Sequence, residues 1–196
     1  MSFRWEPFLW IHLTGLLVLP LWLEGVWLGV ALAGELLPLG AEFALIAVAG
    51  IVPVLWMQLR RPFDIFSLLL VAIAPQQLNP QQRRLLALFK TPTNRLLSLL
   101  AAVVLLGVLW EVFQLAPLAA TAAAVLPQWR LLGLLLAMLS FGASNLFLQV
   151  PVSVAGVLLQ SDRVFEATQP LEVEEIARDF TIAGFRVRRI LPWIGD

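Results

Sequence analysis

Four long apolar stretches alternate with polar segments along the chain. A helix crosses the hydrocarbon core of a bilayer in about 20 apolar residues. The four stretches therefore predict membrane spans at about 8–33, 36–59, 95–115 and 130–150. Pro20 and Pro53 lie inside the first two spans, where neighbouring helices can satisfy the freed carbonyl groups. The uncharged run 131–160 exceeds one span, and Pro151 predicts its division into a span and an interfacial piece.

A fifth apolar run, 63–74, is too short to cross a bilayer and contains Asp64. It is interpreted as re-entrant or interfacial, within a connection that covers 60–95. Later in this connection, Asn79, followed by Pro80 and Gln82, predicts the start of a helix that runs to about Lys90. We expect the apolar face of this helix to lie against the bilayer. That face comprises Leu85, Leu86, Leu88 and Phe89.

Polar segments that are rich in basic residues alternate with segments that have none, as expected for an even number of spans. The connection 60–95 has six bases and one acid, and the tail after position 160 has five bases. The loops at 34–42 and 116–129 contain no base. The positive-inside rule therefore predicts that both termini are cytoplasmic. A cleaved signal peptide ending near Ala33 is the alternative, but the apolar run before it is about twice the usual length.

Composition supports the same class of protein. Soluble domains contain about 45–50 % apolar and about 25 % charged residues, whereas this chain contains 60 % and 13 %. The predicted fold is an all-α integral membrane protein with four transmembrane helices in 1–160 and a short cytoplasmic tail in 161–196. Glu172, Glu174 and Glu175 predict a short helix in this tail. The tail is too short for its own core, so it must pack on the membrane face, on the connection or on another protein.

The counts of reactive residues restrict the chemistry. The net charge is zero, which argues against a nucleic-acid partner. The chain has no Cys and one His, which leaves no convincing nucleophilic triad and no metal site of several histidines. No phosphate-binding or dinucleotide-binding motif is present. The sequence therefore predicts that the protein is not an enzyme.

Three groups of polar residues inside or beside the spans are candidate sites. Glu24, Glu42 and Glu111 could line an ion path, although carboxylates that face water at the far interface are the favoured interpretation. His12 could ligate a chlorophyll or a haem, but a hydrogen bond to a neighbouring helix or headgroup is favoured. No cofactor is predicted beyond this chlorophyll or carotenoid alternative. A third group in span four predicts an interhelical polar seam, with pigment ligation through an amide as the alternative. It comprises Ser140, Ser144, Asn145 and Gln149.

Basic residues outside the spans are candidates for contact with a partner or with lipid headgroups, although enforcement of topology by the positive-inside rule is the favoured interpretation. They are Arg60, Arg61, Arg83, Arg84, Lys90, Arg186, Arg188 and Arg189.

Three sequence segments resemble one known family. They are the opening 3–13 (FRWEPFLWIHL), 61–67 (RPFDIFS) and 144–153 (SNLFLQVPVS), and the sequence DFTI at 179–182 adds to the match. The chain resembles the cyanobacterial low-complexity tail membrane proteins over nearly all of its length. The family has no assigned reaction, so the resemblance implies a thylakoid or plasma membrane and makes photosynthetic complexes plausible partners. The biased tail that gives the family its name is not evident before Asp196.

The sequence as a whole favours a non-enzymatic accessory, scaffold or assembly protein. Such a protein would bind a larger membrane complex or associate with itself in the bilayer. The alternative is a small oligomeric transporter or channel component that uses the carboxylates at positions 24, 42 and 111.

Overall fold

Four helical segments form the membrane-spanning part of the protein. The computed structural model describes residues 3–34, 37–68, 70–123 and 129–190. Within them, the segments long and apolar enough to cross a bilayer are Pro7–Ala33, Gly40–Arg60, Pro92–Leu118 and Arg130–Leu158. The prediction of an all-α integral membrane protein with four spans is confirmed.

The bounds of the elements are as follows. The first span consists of α1 (Pro7–Thr14), a 3-10 stretch (Gly15–Val18) and α2 (Leu19–Ala33), and the other spans are α3 (Leu39–Arg60), α5 (Pro92–Ala123) and α6 (Arg130–Leu158). Between α3 and α5 lie β1 (Ser67–Leu68), β2 (Val71–Ile73) and α4 (Pro80–Phe89). After α6 come α7 (Asp162–Ala167), α8 (Val173–Asp179) and β3 (Phe185–Val187).

Proline affects the first and last spans differently. The 3-10 stretch of the first span ends two residues before Pro20, which lacks the N–H group that an α-helix would use there. Pro151, in contrast, lies inside a continuous helix, so the predicted division of this run is wrong. Pro151 is buried, and its ring packs where the first span passes Gly15. Tertiary packing therefore retains the helix despite the missing hydrogen bond.

Small residues bring the first span and α6 into backbone contact. A Cβ atom at Gly29 would lie 2.5 Å from the nitrogen of Ala137, and one at Gly133 would lie 2.5 Å from the nitrogen of Ala33. Small residues at such positions let the backbones of membrane helices approach closely. Because α6 also packs on α3 and α5, it is the helix around which the bundle is built.

The polar parts of the chain fold together at one end of the bundle. We call residues 3–6, 61–91 and 159–190 the cap. Its three-stranded sheet has the order β1-β2-β3, with β1 antiparallel to β2 and β2 parallel to β3. The run 63–74 is therefore paired with the tail through β2 and through a bridge between Phe63 and Thr181. The interpretation of this run as re-entrant or interfacial stays a prediction.

Helix α4 begins as predicted but packs differently. Asn79 and Gln82 form the expected capping box, with Asn79 Oδ1 accepting from the Gln82 N–H at 2.9 Å. The apolar face that was expected to meet the bilayer instead lies in the core of the cap, which corrects that expectation. The tail supplies its partners, among them Phe165, Ile176 and Phe180. An amphipathic helix has the same pattern whether lipid or protein covers it, so the sequence could not distinguish the two.

The contact between the first span and α6 leads to a prediction for Gly133→Leu. The new side chain would meet backbone atoms of Ala33 and Gly29, which cannot move aside cheaply. We expect the free energy of unfolding to fall by about 1–3 kcal/mol or more, measured by denaturation in detergent. Gly107→Leu is the matched control, because a Cβ atom at Gly107 meets nothing within 4 Å. Equal effects of both substitutions would contradict this account of the interface.

Candidate functional site

A cavity of about 300 Å³ lies where the first span, α6 and the turn before β1 meet. The first span contributes Ile11, His12, Thr14, Gly15 and Val18, the turn and β1 contribute Phe63, Ser67 and Leu68, and α6 contributes Leu146, Phe147, Val150 and Pro151. Most of these side chains are apolar. The cavity coincides with the 3-10 stretch of the first span, where the helix departs from regular α geometry.

His12 joins the first span to this turn. Its Nδ1 atom lies 2.8 Å from the carbonyl oxygen of Phe8, and its Nε2 atom lies 3.2 Å from the carbonyl oxygen of Ser67. Both ring nitrogens therefore face backbone oxygens. Ligation of a pigment metal by His12 would require one of these contacts to be displaced. The role of His12 as a pigment ligand stays a prediction. Nε2 lies within hydrogen-bond distance of the neighbouring segment, and a neutral ring can donate from only one of its two nitrogens.

The predicted polar seam in α6 is buried, but its hydrogen bonds run along the helix. Ser144 donates to the carbonyl of Ser140, Asn145 donates to the carbonyl of Phe141, and Gln149 donates to Asn145 Oδ1 at 3.0 Å. For Ser144, Asn145 and Gln149 the hydrogen bonds are therefore made within α6, one turn earlier, and not to another helix. An interhelical contact occurs one turn further on, where Oγ of Ser153 lies 3.4 Å from Oγ of Ser98 in α5.

The three carboxylates proposed for an ion path have different surroundings. Glu24 and Glu111 are exposed on the surfaces of α2 and α5. Glu42 is only 3 % exposed, and its carboxylate accepts the N–H group of Leu37 at 2.9 Å. Glu42 thus supports the start of α3. No group of three or more carboxylate or histidine side chains is close enough to hold a metal ion within the described residues. The ion path stays a prediction, because Glu24, Glu42 and Glu111 do not form a group of neighbouring carboxylates in the described structure.

Several bases of the connection bind the tail instead of facing lipid. The Arg61 guanidinium donates to the carbonyl oxygen of Phe180 at 2.8 Å, just after α8. Lys90 forms a 2.8 Å ion pair with Asp179. Arg83 donates to the carbonyl of Leu171 at 3.1 Å, and Arg84 lies over the ring of Phe165. These four residues, interpreted from the sequence as headgroup or partner contacts, hold the two halves of the cap together.

Asp179 at the end of α8 has two cationic partners, Lys90 and Arg178. Asp179 accepts from Arg178 at 2.8 Å as well as from Lys90. Hydrogen bonds from these two cations hold the pKa of Asp179 well below its usual range, so it remains a carboxylate in mildly acidic solution.

The remaining candidate bases are exposed. Arg60 stacks over the ring of Trp56 at the end of α3. Arg186, Arg188 and Arg189 lie in or just after β3 and have no ion pair in the part of the chain that the structure describes.

Two exposed apolar residues adjoin these arginines, and the sequence analysis did not single them out. Leu70 is 73 % exposed and Phe185 is 79 % exposed, and the Phe185 N–H donates to the carbonyl of Leu70 at 2.7 Å. Gly184, with φ of 92°, allows this close approach. We call Leu70, Phe185, Arg186, Arg188 and Arg189 the β3 patch. The alternation of apolar and basic residues after Gly184 was the signal that could have identified it.

Asp64 is a buried carboxyl group in the turn before β1. Its Oδ1 atom accepts the N–H group of Phe66 at 2.9 Å, and its backbone N–H donates to Thr181 in the tail. Oδ2 has no partner among the described residues. Burial raises the pKa of Asp64 to about 6, and the hydrogen bond from Phe66 offsets only part of that effect.

The folded architecture and these sites define the class of protein. It is a multi-pass membrane protein with four transmembrane helices and a polar cap formed from three separate segments. More particularly, the chain belongs to the low-complexity tail membrane protein-like family, whose model matches residues 5–192. No curated protein and no solved structure shows significant similarity to the chain.

The buried carboxyl group predicts a pH dependence of stability. The pKa of Asp64 is about 6 in the folded protein and near 3.8 when exposed, so the folded state holds a proton that the unfolded state has lost between these values. The contribution of Asp64 to stability should therefore fall by about 2 kcal/mol as the pH rises from about 4 to 6, and by about 3 kcal/mol in total from well below 3.8 to well above 6. Asp64→Asn should remove this dependence and keep the acceptor for Phe66. The measurement is the difference in unfolding free energy between the two proteins across this range. A difference that does not vary with pH would refute the prediction.

Proposed function

We propose that this protein is a non-enzymatic accessory, scaffold or assembly protein that binds a larger membrane complex through its cap. The β3 patch is the observation that carries the proposal. It brings together an exposed aromatic side chain, an exposed leucine and three exposed arginines within and directly beside the short strand β3. Aromatic residues and arginine are enriched in protein interfaces and in the few positions that dominate binding energy.

Charge favours an acidic protein surface as the partner of the β3 patch. The other bases of the cap near the membrane are already engaged by the tail, as with Arg61 and Lys90. Arg186 and Arg188 lack such partners within the described ranges, so an acidic partner could bind them without breaking an existing ion pair. Complementary charges speed association and select among partners.

The support beneath the patch favours a protein partner over transient contact with headgroups. Phe185 lies on a strand that pairs with β2, and β2 rests on the core of the cap. Its backbone is therefore already ordered before binding, which reduces the entropy that docking would cost. Because the four spans keep the cap beside the bilayer, the partner should itself be bound to a membrane. If the likeness to cyanobacterial proteins extends to the host, photosynthetic complexes are the first candidates.

The proposal predicts that binding depends on the patch. A photo-cross-linking residue at position 185 should capture one stoichiometric membrane-protein partner in native membranes. Arg186→Glu with Arg188→Glu should weaken binding of that partner, once purified, by at least about ten-fold, because buried arginine contacts are worth more than 1.4 kcal/mol. Affinity purification with mass spectrometry, followed by a binding titration, provides the measurement.

The matched control for this experiment is Arg163→Glu. Arg163 is an exposed arginine of α7, outside the patch. It should leave binding unchanged, and a cross-linker at position 163 should not capture the partner. Cross-linking from position 185 to lipid alone, or a purified homo-oligomer without another protein, would overturn the proposal. An absorption spectrum of the same sample tests pigment binding, and any bands must be assigned to the partner or to this chain.

A further inference from the structure

Strand β3 forms one edge of the sheet in the cap. The order of the sheet is β1-β2-β3, so β2 covers one side of β3 and no described strand covers the other side. Edge strands present unpaired N–H and C=O groups, which another chain can use to add a strand. Phe185 and Arg186 are exposed and Val187 is half-buried, so this edge can be reached from outside the protein.

The register of the sheet shows which backbone groups of β3 are unpaired. The Phe185 N–H donates to the carbonyl of Leu70 at 2.7 Å, and the carbonyl of Val187 accepts the Ala74 N–H at 3.0 Å. Phe185 and Val187 therefore direct their backbone groups towards β2. Because the backbone groups of successive residues in a strand point to opposite sides, the N–H and C=O of Arg186 point away from β2. Neither group has a hydrogen-bond partner among the described residues.

The side chains of β3 alternate between apolar and basic. Phe185 and Val187 lie on one face of the sheet and Arg186 lies on the other, since successive side chains of a strand point to opposite faces. Apolar pairs and pairs of opposite charge across two strands stabilise a sheet. An incoming strand therefore fits best when its apolar residues share the face of Phe185 and its acidic residues share the face of Arg186.

Charge argues against a second copy of this chain as the incoming strand. A second β3 would bring its own Arg186 and Arg188 beside those of the first, and like charges opposite each other destabilise a sheet. These two arginines have no ion pair in the parts of the chain that the structure describes. An acidic segment would meet positive charge instead. The arginines thus select among incoming strands by repulsion as well as by attraction.

We propose that an extended segment of the partner protein, with alternating acidic and apolar residues, adds to β3 as a fourth strand of the sheet. The Arg186 N–H donates to a carbonyl of this segment, and the Arg186 carbonyl accepts one of its N–H groups. Strand addition takes its affinity from main-chain hydrogen bonds and its specificity from side chains at alternate positions. This mode of binding rests on the proposed docking function and specifies the form of the segment that docks.

The test uses the full chain in phosphatidylcholine nanodiscs and a short capped peptide of alternating glutamate and valine. Hydrogen exchange with residue-level fragmentation measures single backbone amides with and without the peptide. The Arg186 amide should exchange freely in the protein alone and at least about ten-fold more slowly with saturating peptide, because sheet hydrogen bonds protect amides. The Phe185 amide is the internal control, since its bond to Leu70 should protect it in both states.

Two further peptides separate main-chain binding from attraction between charges. The same peptide N-methylated at every residue keeps its carboxylates but has no N–H group to donate. It should bind at least about ten-fold more weakly, as measured by fluorescence anisotropy of labelled peptide, and should leave the Arg186 amide unprotected. A peptide with lysine in place of glutamate should also bind more weakly, because it repels the arginines.

Two variants of Arg186 separate its N–H group from its charge. Arg186→Gln and Arg186→Pro both remove the charge, but only proline removes the N–H group. Because this group points away from β2, the two variants should unfold at similar temperatures. Arg186→Pro should bind the acidic peptide about three- to ten-fold more weakly than Arg186→Gln, as expected for one lost hydrogen bond. Phe185→Pro, in contrast, removes the bond to Leu70 and should lower the unfolding temperature.

Three results would overturn the proposal. The first is an Arg186 amide that is already protected without peptide or is unaffected by the acidic peptide. The second is equal binding of the N-methylated peptide, and the third is equal binding by Arg186→Pro and Arg186→Gln. Cross-linking from position 185 tests the docking function separately. A captured partner without protection of Arg186 by the peptide would overturn strand addition alone, whereas protection without any captured partner would support strand addition and overturn the docking function.

Discussion

The parallel pairing of β2 with β3 is the constraint on which the cap depends. It joins two segments that lie on either side of α5 and α6 in the chain, with Ala72 opposite Arg186. Neither segment has enough apolar residues for a core of its own. Together, and with the N-terminus and the end of α6, they bury one continuous cluster that includes Phe66 and Phe180. The cap can therefore form only when the ends of α3, α5 and α6 lie together, so its stability is coupled to assembly of the bundle.

Arginine and lysine reinforce this pairing at the place where the tail turns. Arg61 donates to the carbonyl oxygen of Ala177 in the last turn of α8 and to that of Phe180 just after the helix. Lys90 binds the carboxylate of Asp179 at the same end of α8. Cations at a helix C-terminus also oppose the partial negative charge of its free carbonyl groups. Arg4 performs a similar task at the other end of the tail, where it binds Asp162 and the carbonyl of Leu158. The tail is thus fixed to the N-terminus and to the connection.

The elements that could be predicted from the sequence are those fixed by local patterns. The four spans follow from uninterrupted apolar length, and the start of α4 follows from Asn79, Pro80 and Gln82. The direction of the apolar face of α4 could not be predicted, because lipid and protein cores select the same residues. Pro151 was misinterpreted for a related reason. The rule for proline describes an isolated helix, whereas α6 is held by packing on both sides of the proline.

The candidate sites show the same division between pattern and packing. The sequence identified His12, but its second contact, at Ser67, arises only when a turn 55 residues away folds against the first span. The cavity likewise depends on the 3-10 stretch before Pro20 and on the approach of Gly15 to Phe147. The sequence singled out the bases as a group, but the positive-inside rule that counts them contains no information about their partners. Arg61 and Arg186 contribute equally to the topology signal, but one holds the tail and the other faces outward. Only the folded cap therefore shows which basic side chains bind within the protein and which are available to a docking partner.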